Sequence, residues 1–173
     1  MRVLIALILV FSHIFPSEKE LIIKEKVITV QGQTSFGSFK CDYQNQGFKD
    51  TLFVNSVKSQ RPIIFDIPVQ EFGCGNFLLN KDFRKTIKAE EYPHAKVRVN
   101  NMKLRGKDYT CDVIVNIVGK RLEYKSLELT NGGNQLKGNI ILNFDELDLS
   151  PPKKLGGLIK VEEQLALEIK LGF

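Results

Sequence analysis

Apolar and polar residues alternate along most of the chain. In "PIIFDIPVQ", Ile63, Phe65, Ile67 and Val69 share one face, while Asp66 and Gln70 share the other. "YTCDVIVNIVG" repeats the pattern with Tyr109, Cys111, Val113, Val115 and Ile117. "LKGNIILNFD" does so with Leu136, Ile140, Leu142 and Phe144, and "LALEIKL" with Leu165, Leu167, Ile169 and Leu171. A period of two means strands with one wet face and one dry face. It favours antiparallel sheet over the parallel kind, which is buried on both sides. "YQNQGF", "LRGKDY", "VGKR" and "TNGGNQ" separate the runs and carry the Gly, Asn and Asp of hairpin turns. Roughly eight or nine strands follow, as in a sandwich or a closed barrel.

One stretch, "NFLLNKDFRKTIKAEEYPHAKVRV", breaks the alternation. Asn80 reads as a helix N-cap with Asp82 in the first turn, where the helix dipole favours negative charge. Leu79, Phe83 and Ile87 recur every fourth residue and share a face, whereas Arg84, Lys85 and Lys88 point elsewhere. Pro93 disfavours a helical Tyr92 and stops the helix. A helix of about eleven residues does not hold alone in water. Its Phe83–Ile87 stripe must dock on something apolar, and in an all-β chain the open mouth of a barrel is the natural place.

The N-terminus has another character. Arg2, the apolar run Val3–Phe11, then Ser12 and Pro16 follow the order of a secretory signal peptide. The run is too short for a comfortable membrane span. The expected division is a signal peptide over 1–18 and one β-barrel domain over 19–173, with no integral membrane segment after cleavage and export to the periplasm or beyond. The alternative is an uncleaved anchor. A chain of 173 residues has room for a real core. Its net charge of +5 is spread along the sequence, with no basic block interleaved with aromatics, which argues against a nucleic-acid partner.

Candidate chemistry is sparse. The two histidines, His13 and His94, have no metal-ligand spacing around them and no nucleophile at a recognisable turn. Asp145, Glu146 and Asp148 lack the spacing of a calcium loop. No enzyme and no cofactor is expected. The cysteines say more. Cys41 lies in phase with Phe39 and Tyr43, and Cys74 follows the strand Ile63–Val69. In an exported protein the pair is a disulfide candidate that leaves Cys111 as a buried thiol. Three reduced core cysteines are the alternative.

"IIFDIPVQEFGCGNFLLNKDFRKTIKAEEYPHAKVRV" resembles the middle of the YceI-like family, in which an alternating strand leads to a short helix and a Tyr-Pro dipeptide opens the next strand. "YTCDVIVNIVGKRLEYKSLELT" is similar to the family's two following strands, and "NFDELDLSPPKKLGGLIKVEEQLALEIKL" to its C-terminal end. The family's G-x-T-K-P-V segment is replaced here by "GKRLEYKSL", which with the cysteines marks a divergent branch. The resemblance implies a lipocalin-like, eight-stranded antiparallel barrel with one short helix capping an end. It also implies a long-chain, isoprenoid-like amphiphile as partner, held by apolar burial. The expected tunnel lining is Phe39, Phe65, Ile67, Val69, Phe72, Val97, Val99, Val113, Val115, Ile140, Leu142 and Phe144, under a lid of Phe83, Ile87 and Tyr92. The rival reading is a barrel filled by its own side chains, serving as an interaction or structural module of the envelope.

Overall fold

In the computed structural model the described residues are 19–47, 49–56, 58, 61–152 and 161–173. The expected signal peptide lies outside them. Among the described residues ten strands and one α-helix form: β1 (Lys19–Ile23), β2 (Glu25–Thr34), β3 (Gly37–Asn45), β4 (Asp50–Val54), β5 (Ile63–Pro68), α1 (Phe77–Thr86), β6 (His94–Arg105), β7 (Asp108–Ile117), β8 (Lys120–Asn131), β9 (Gln135–Asn143) and β10 (Val161–Gly172). Eight of them make one antiparallel sheet in the order β3-β2-β10-β9-β8-β7-β6-β5, while β1 and β4 pair as a separate ribbon. The alternation read in the sequence becomes alternating burial: Tyr109, Cys111, Val113 and Val115 of β7 are inside, as are Leu136, Ile140 and Leu142 of β9.

The sheet curls into a half-barrel with two plugged ends. Ile117 pairs with Lys120, Thr34 with Gly37 and Val161, and Pro68 with His94, so these residues mark one rim. The β1–β4 ribbon closes the opposite rim, where Lys24 N–H donates to Gly172 O and Lys19 Nζ to the Tyr109 hydroxyl. Leu21, Ile23, Leu52 and Val54 drive this ribbon into the core. The sequence reading did not separate β1 from β2, because Leu21 and Ile23 are as apolar as the strand that follows.

The edge strands β3 and β5 share no ladder among the described residues. They are joined beyond the end of β5. Asp42 and Gly73 exchange backbone hydrogen bonds of 2.9 Å in each direction, and the adjacent Cys41 and Cys74 form a disulfide with Cα atoms 4.0 Å apart. The pairing favoured from the sequence is present, and Cys111 is the buried free thiol.

Two long ladders change register at one place. β6 shifts between Asn100 and Lys103, and β8 shifts opposite Cys111 and Val113. Asn101 and Ser126 there have φ of 53° and 52°. Asp112 of β7, between them, accepts from Asn101 Nδ2 at 2.7 Å and Ser126 N–H at 3.0 Å. The Asn101 bond, followed by the Ser126 N–H, holds its carboxyl below the usual range. A bulge adds twist and bend to a strand, and two bulges flanking one strand curl the sheet.

Two outcomes are expected. Replacing Cys41 and Cys74 by Ser should cost about 3–4 kcal/mol in denaturant unfolding, the chain-entropy value for a loop of this length, and a reductant should do the same to the wild type. Burial, reinforced by the charge of Asp112, pushes the Cys111 thiol up to about 12. In the unfolded chain it ionises near its ordinary value of about 8.5. Between these values the unfolded state has released a proton that the folded state keeps, so the Cys111 contribution to stability falls as pH rises. Cys111→Val should remove that slope, and a thiol reagent at mildly alkaline pH should label Cys111 only on unfolding.

Candidate functional site: an apolar cleft under the helix

The local sequence builds α1 differently from expectation. The N-cap is Asn76, whose Oδ1 accepts from Leu79 N–H at 2.9 Å. Asn80 sits inside the helix and its Oδ1 accepts from Cys74 N–H at 2.6 Å, tying α1 to the disulfide. The helix ends six residues before Tyr92-Pro93 comes into play. Lys88 takes φ 50°, Lys88 N–H donates to Lys85 O, and Ala89 N–H donates to Arg84 O. That is a Schellman-type stop with Lys at the position glycine usually holds. The stop thus lies upstream of the Tyr92-Pro93 dipeptide, and its left-handed residue is a lysine, which carries no glycine-like signal in the sequence.

The inner face is as read. Ile87 is buried, and Leu79 and Phe83 are half-buried against the core. Phe72 is a wedge: its ring centre lies 5.6 Å from that of Tyr43 on β3 and 5.4 Å from that of Phe83 on α1. Lys85 and Lys88 are exposed, but Arg84 is half-buried, with Nη2 donating to Gln70 O at 2.7 Å.

Between α1 and the rim lies a cleft of about 440 Å³. Ten of its thirteen lining residues are apolar; the exceptions are Thr34, Asp82 and Thr86. Its floor and walls come from Phe39, Phe144, Val161 and Leu165, and its roof from Leu78, Leu79, Phe83 and Ile87. Phe36 stands at the tip of the β2–β3 hairpin, held where Phe36 N–H donates to Thr34 Oγ1 at 3.1 Å. Phe39 packs over Gly32, its direct partner across the ladder; a Cβ on Gly32 would lie 2.3 Å from the Phe39 ring.

The expected lining divides. Phe39, Phe83, Ile87 and Phe144 meet at this cleft. Phe65, Ile67, Val97, Val99 and Val113 face a separate interior void of only about 30 Å³. Val69, Phe72, Val115, Ile140 and Leu142 are buried but line neither space. Tyr92 does not lie over the cleft; its ring packs on Gly119 in the β7–β8 turn. A continuous tunnel along the axis is therefore absent among the described residues, because the inward side chains meet and fill it.

The sequence reading missed Phe36, Leu78, Val161 and Leu165 as lining. Phe36 carried a signal, a large apolar residue in a polar Gly-containing turn. It also missed Lys26, which is in phase with Ile28 and Val30 and is 2% exposed. Its ammonium lies 5.4 Å from the Tyr43 ring centre and 5.3 Å from that of Phe65, within cation–π range. Burial lowers its pKa, against the opposing pull of Asp66. A larger depression of about 590 Å³ lies on the outer side of α1, lined by Gln70, Phe77, Asn80, Ala89 and six charged residues. Its polarity suits it poorly to an apolar ligand.

No family model and no curated protein matches this sequence. Among solved structures, the chain is similar to Burkholderia cenocepacia BcnA, with a TM-score of 0.52 at 14% identity over 86% of this chain and 95% of that one. It is also similar to a polyisoprenoid binding domain from Saccharophagus degradans implicated in plant cell wall breakdown, with a TM-score of 0.56 at 10% identity over 89% of this chain and 95% of that one. At such identities the likeness shows the fold, and that fold is the lipocalin-like barrel implied by the YceI-like resemblance.

Proposed function

We propose that this protein is an exported carrier that holds a long-chain, isoprenoid-like amphiphile in the cleft between α1 and the barrel mouth. The observation that carries the reading is the cleft: about 440 Å³, with ten apolar residues of thirteen. That volume is within the range of sites for small organic ligands, about 300–1,000 Å³. Burial of an apolar chain there contributes roughly 25 cal/mol per Å² removed from water. The three polar lining groups suit the polar end of an amphiphile and leave the apolar walls to the tail. The fold shared with a polyisoprenoid binding domain supports the ligand class. Export to the periplasm or beyond is supported by the Cys41–Cys74 disulfide, since such bonds persist in oxidising compartments. The role is one of binding, without covalent chemistry.

The small interior void favours a second reading, in which the filled barrel is a structural or interaction module. Mass spectrometry of an organic extract, made from protein purified from its own host, separates the two. A long-chain lipid in stoichiometric amount supports the carrier; a clean extract together with no binding of any long-chain amphiphile removes it.

Phe83→Ala should reduce stability by less than the about 3–5 kcal/mol of a fully buried Phe, because Phe83 is half-buried. It should also speed release of a fluorescent isoprenoid analogue by more than the stability loss explains, since the roof of the cleft loses its central ring. Lys85→Ala, on the wet side, should change stability by under about 0.5 kcal/mol. Gly32→Val tests the floor. The new side chain must push Phe39 into the cleft, and analogue binding should weaken about tenfold or more, as expected when a preformed apolar site is occupied from within. Unchanged affinity in Gly32→Val would take Phe39 out of the site.

A further inference from the structure

The outer surface around α1 is both greasy and basic. Phe77 is 82% exposed, Phe36 77% and Leu78 60%. They stand at the same end of the molecule, Phe36 and Leu78 on the lip of the cleft and Phe77 at the first turn of the helix. Soluble proteins rarely leave large apolar side chains grouped in the open without a partner for them. From Phe77 the helix continues with Lys81 and Lys85 at successive steps of four, so the three share a face. With Arg84 and Lys88, the depression they line carries four cations against the carboxylates of Glu90 and Glu91. Exposed apolar side chains at the tip of the helix, with lysines one and two turns behind them, suit the surface of an anionic bilayer, the rings entering the acyl boundary and the ammonium groups staying among the phosphates.

We propose that this helix end docks on the surface of an anionic bilayer, with Phe77, Leu78 and Phe36 inserted and Lys81, Lys85 and Lys88 on the headgroups. Docked in this way, the lip of the cleft faces the acyl region, and a lipid tail passes between membrane and cleft without crossing water. The proposal rests on the carrier reading for its purpose and on the surface alone for its physics.

The protein contains no Trp, so Phe77→Trp places a single indole at the docking point. Its emission should shift to the blue on adding vesicles of phosphatidylcholine with phosphatidylglycerol, and much less with phosphatidylcholine alone. Ile64→Trp, at an exposed position on β5, should not shift. Lys81→Glu with Lys85→Glu should weaken vesicle association by at least about tenfold, and added salt should weaken the wild type in the same direction. Phe77→Ser should reduce association while leaving the unfolding temperature and binding of a soluble isoprenoid analogue unchanged, because Phe77 does not line the cleft. Equal shifts at positions 77 and 64, or equal sedimentation of wild type and the double Glu variant, would overturn the proposal. So would a blue shift that rises with protein concentration in the absence of vesicles, which would assign the face to self-association. Vesicle binding without analogue binding would remove the carrier reading and leave the docking surface; the reverse would remove the docking surface alone.

Discussion

The tie between β3 and the segment that follows β5 is the constraint on which the site depends. A curled sheet with two free edges has no reason to stop at a particular curvature. Here the Cys41–Cys74 bond and the reciprocal Asp42–Gly73 hydrogen bonds fix the distance between the edges. The residues next to that tie build the site. Phe72 wedges Tyr43 against Phe83, and Asn80 of α1 accepts from the backbone of Cys74. The helix is therefore placed over the rim by covalent and hydrogen-bonded anchors at its N-terminal side, and its apolar stripe has only to settle onto what the anchors present.

Opposite that tie the wall is thin. β8 and β9 pair only through Leu129–Gly138, Thr130–Lys137 and Asn131–Leu136. Above those pairs the strands diverge, and the chain after β9 turns in. Leu147 and Leu149 are buried there, and Asp148 pairs with Lys120 at the start of β8. The half-barrel is thus two four-stranded panels, joined on one side by a short ladder and on the other by a disulfide. The interior between the panels is packed, so the available space lies at their rim and not along their axis. That separation explains why a cleft lined by Phe39, Phe83 and Phe144 coexists with a core that holds almost no void.

Strand identity, antiparallel pairing, the apolar stripe of α1 and the cysteine pairing were legible because each rests on a local period or on a count of three cysteines. The site was half legible. Alternation says which residues point inward, but it is silent on whether opposite inward residues touch, and that decides between tunnel and core. Val115, Ile140 and Leu142 point inward and meet other side chains, so their parity could not distinguish wall from filling. Helix boundaries failed for a different reason. Asn76 and Asn80 are both good caps, and only the tertiary demand of the Cys74 N–H separates them. The turn position of Phe36 and the inward phase of Lys26 are visible in the sequence, but a period of two weights strands above turns and apolar residues above charged ones.

The order of strands also governs how the molecule assembles. β6 to β8 are neighbours in sequence and in space, and their two hairpins close short loops, the kind of local contact that forms readily. β10 is the last strand of the chain, yet it lies between β2 and β9, and Gly172 pairs with Glu25. Until β10 arrives, β2 and β3 meet the rest of the sheet only through the Cys41–Cys74 and Asp42–Gly73 tie, and both flanks of the β10 slot are open edges. Closing the sheet therefore waits on pairings between strands far apart in sequence, and contacts of that kind slow folding.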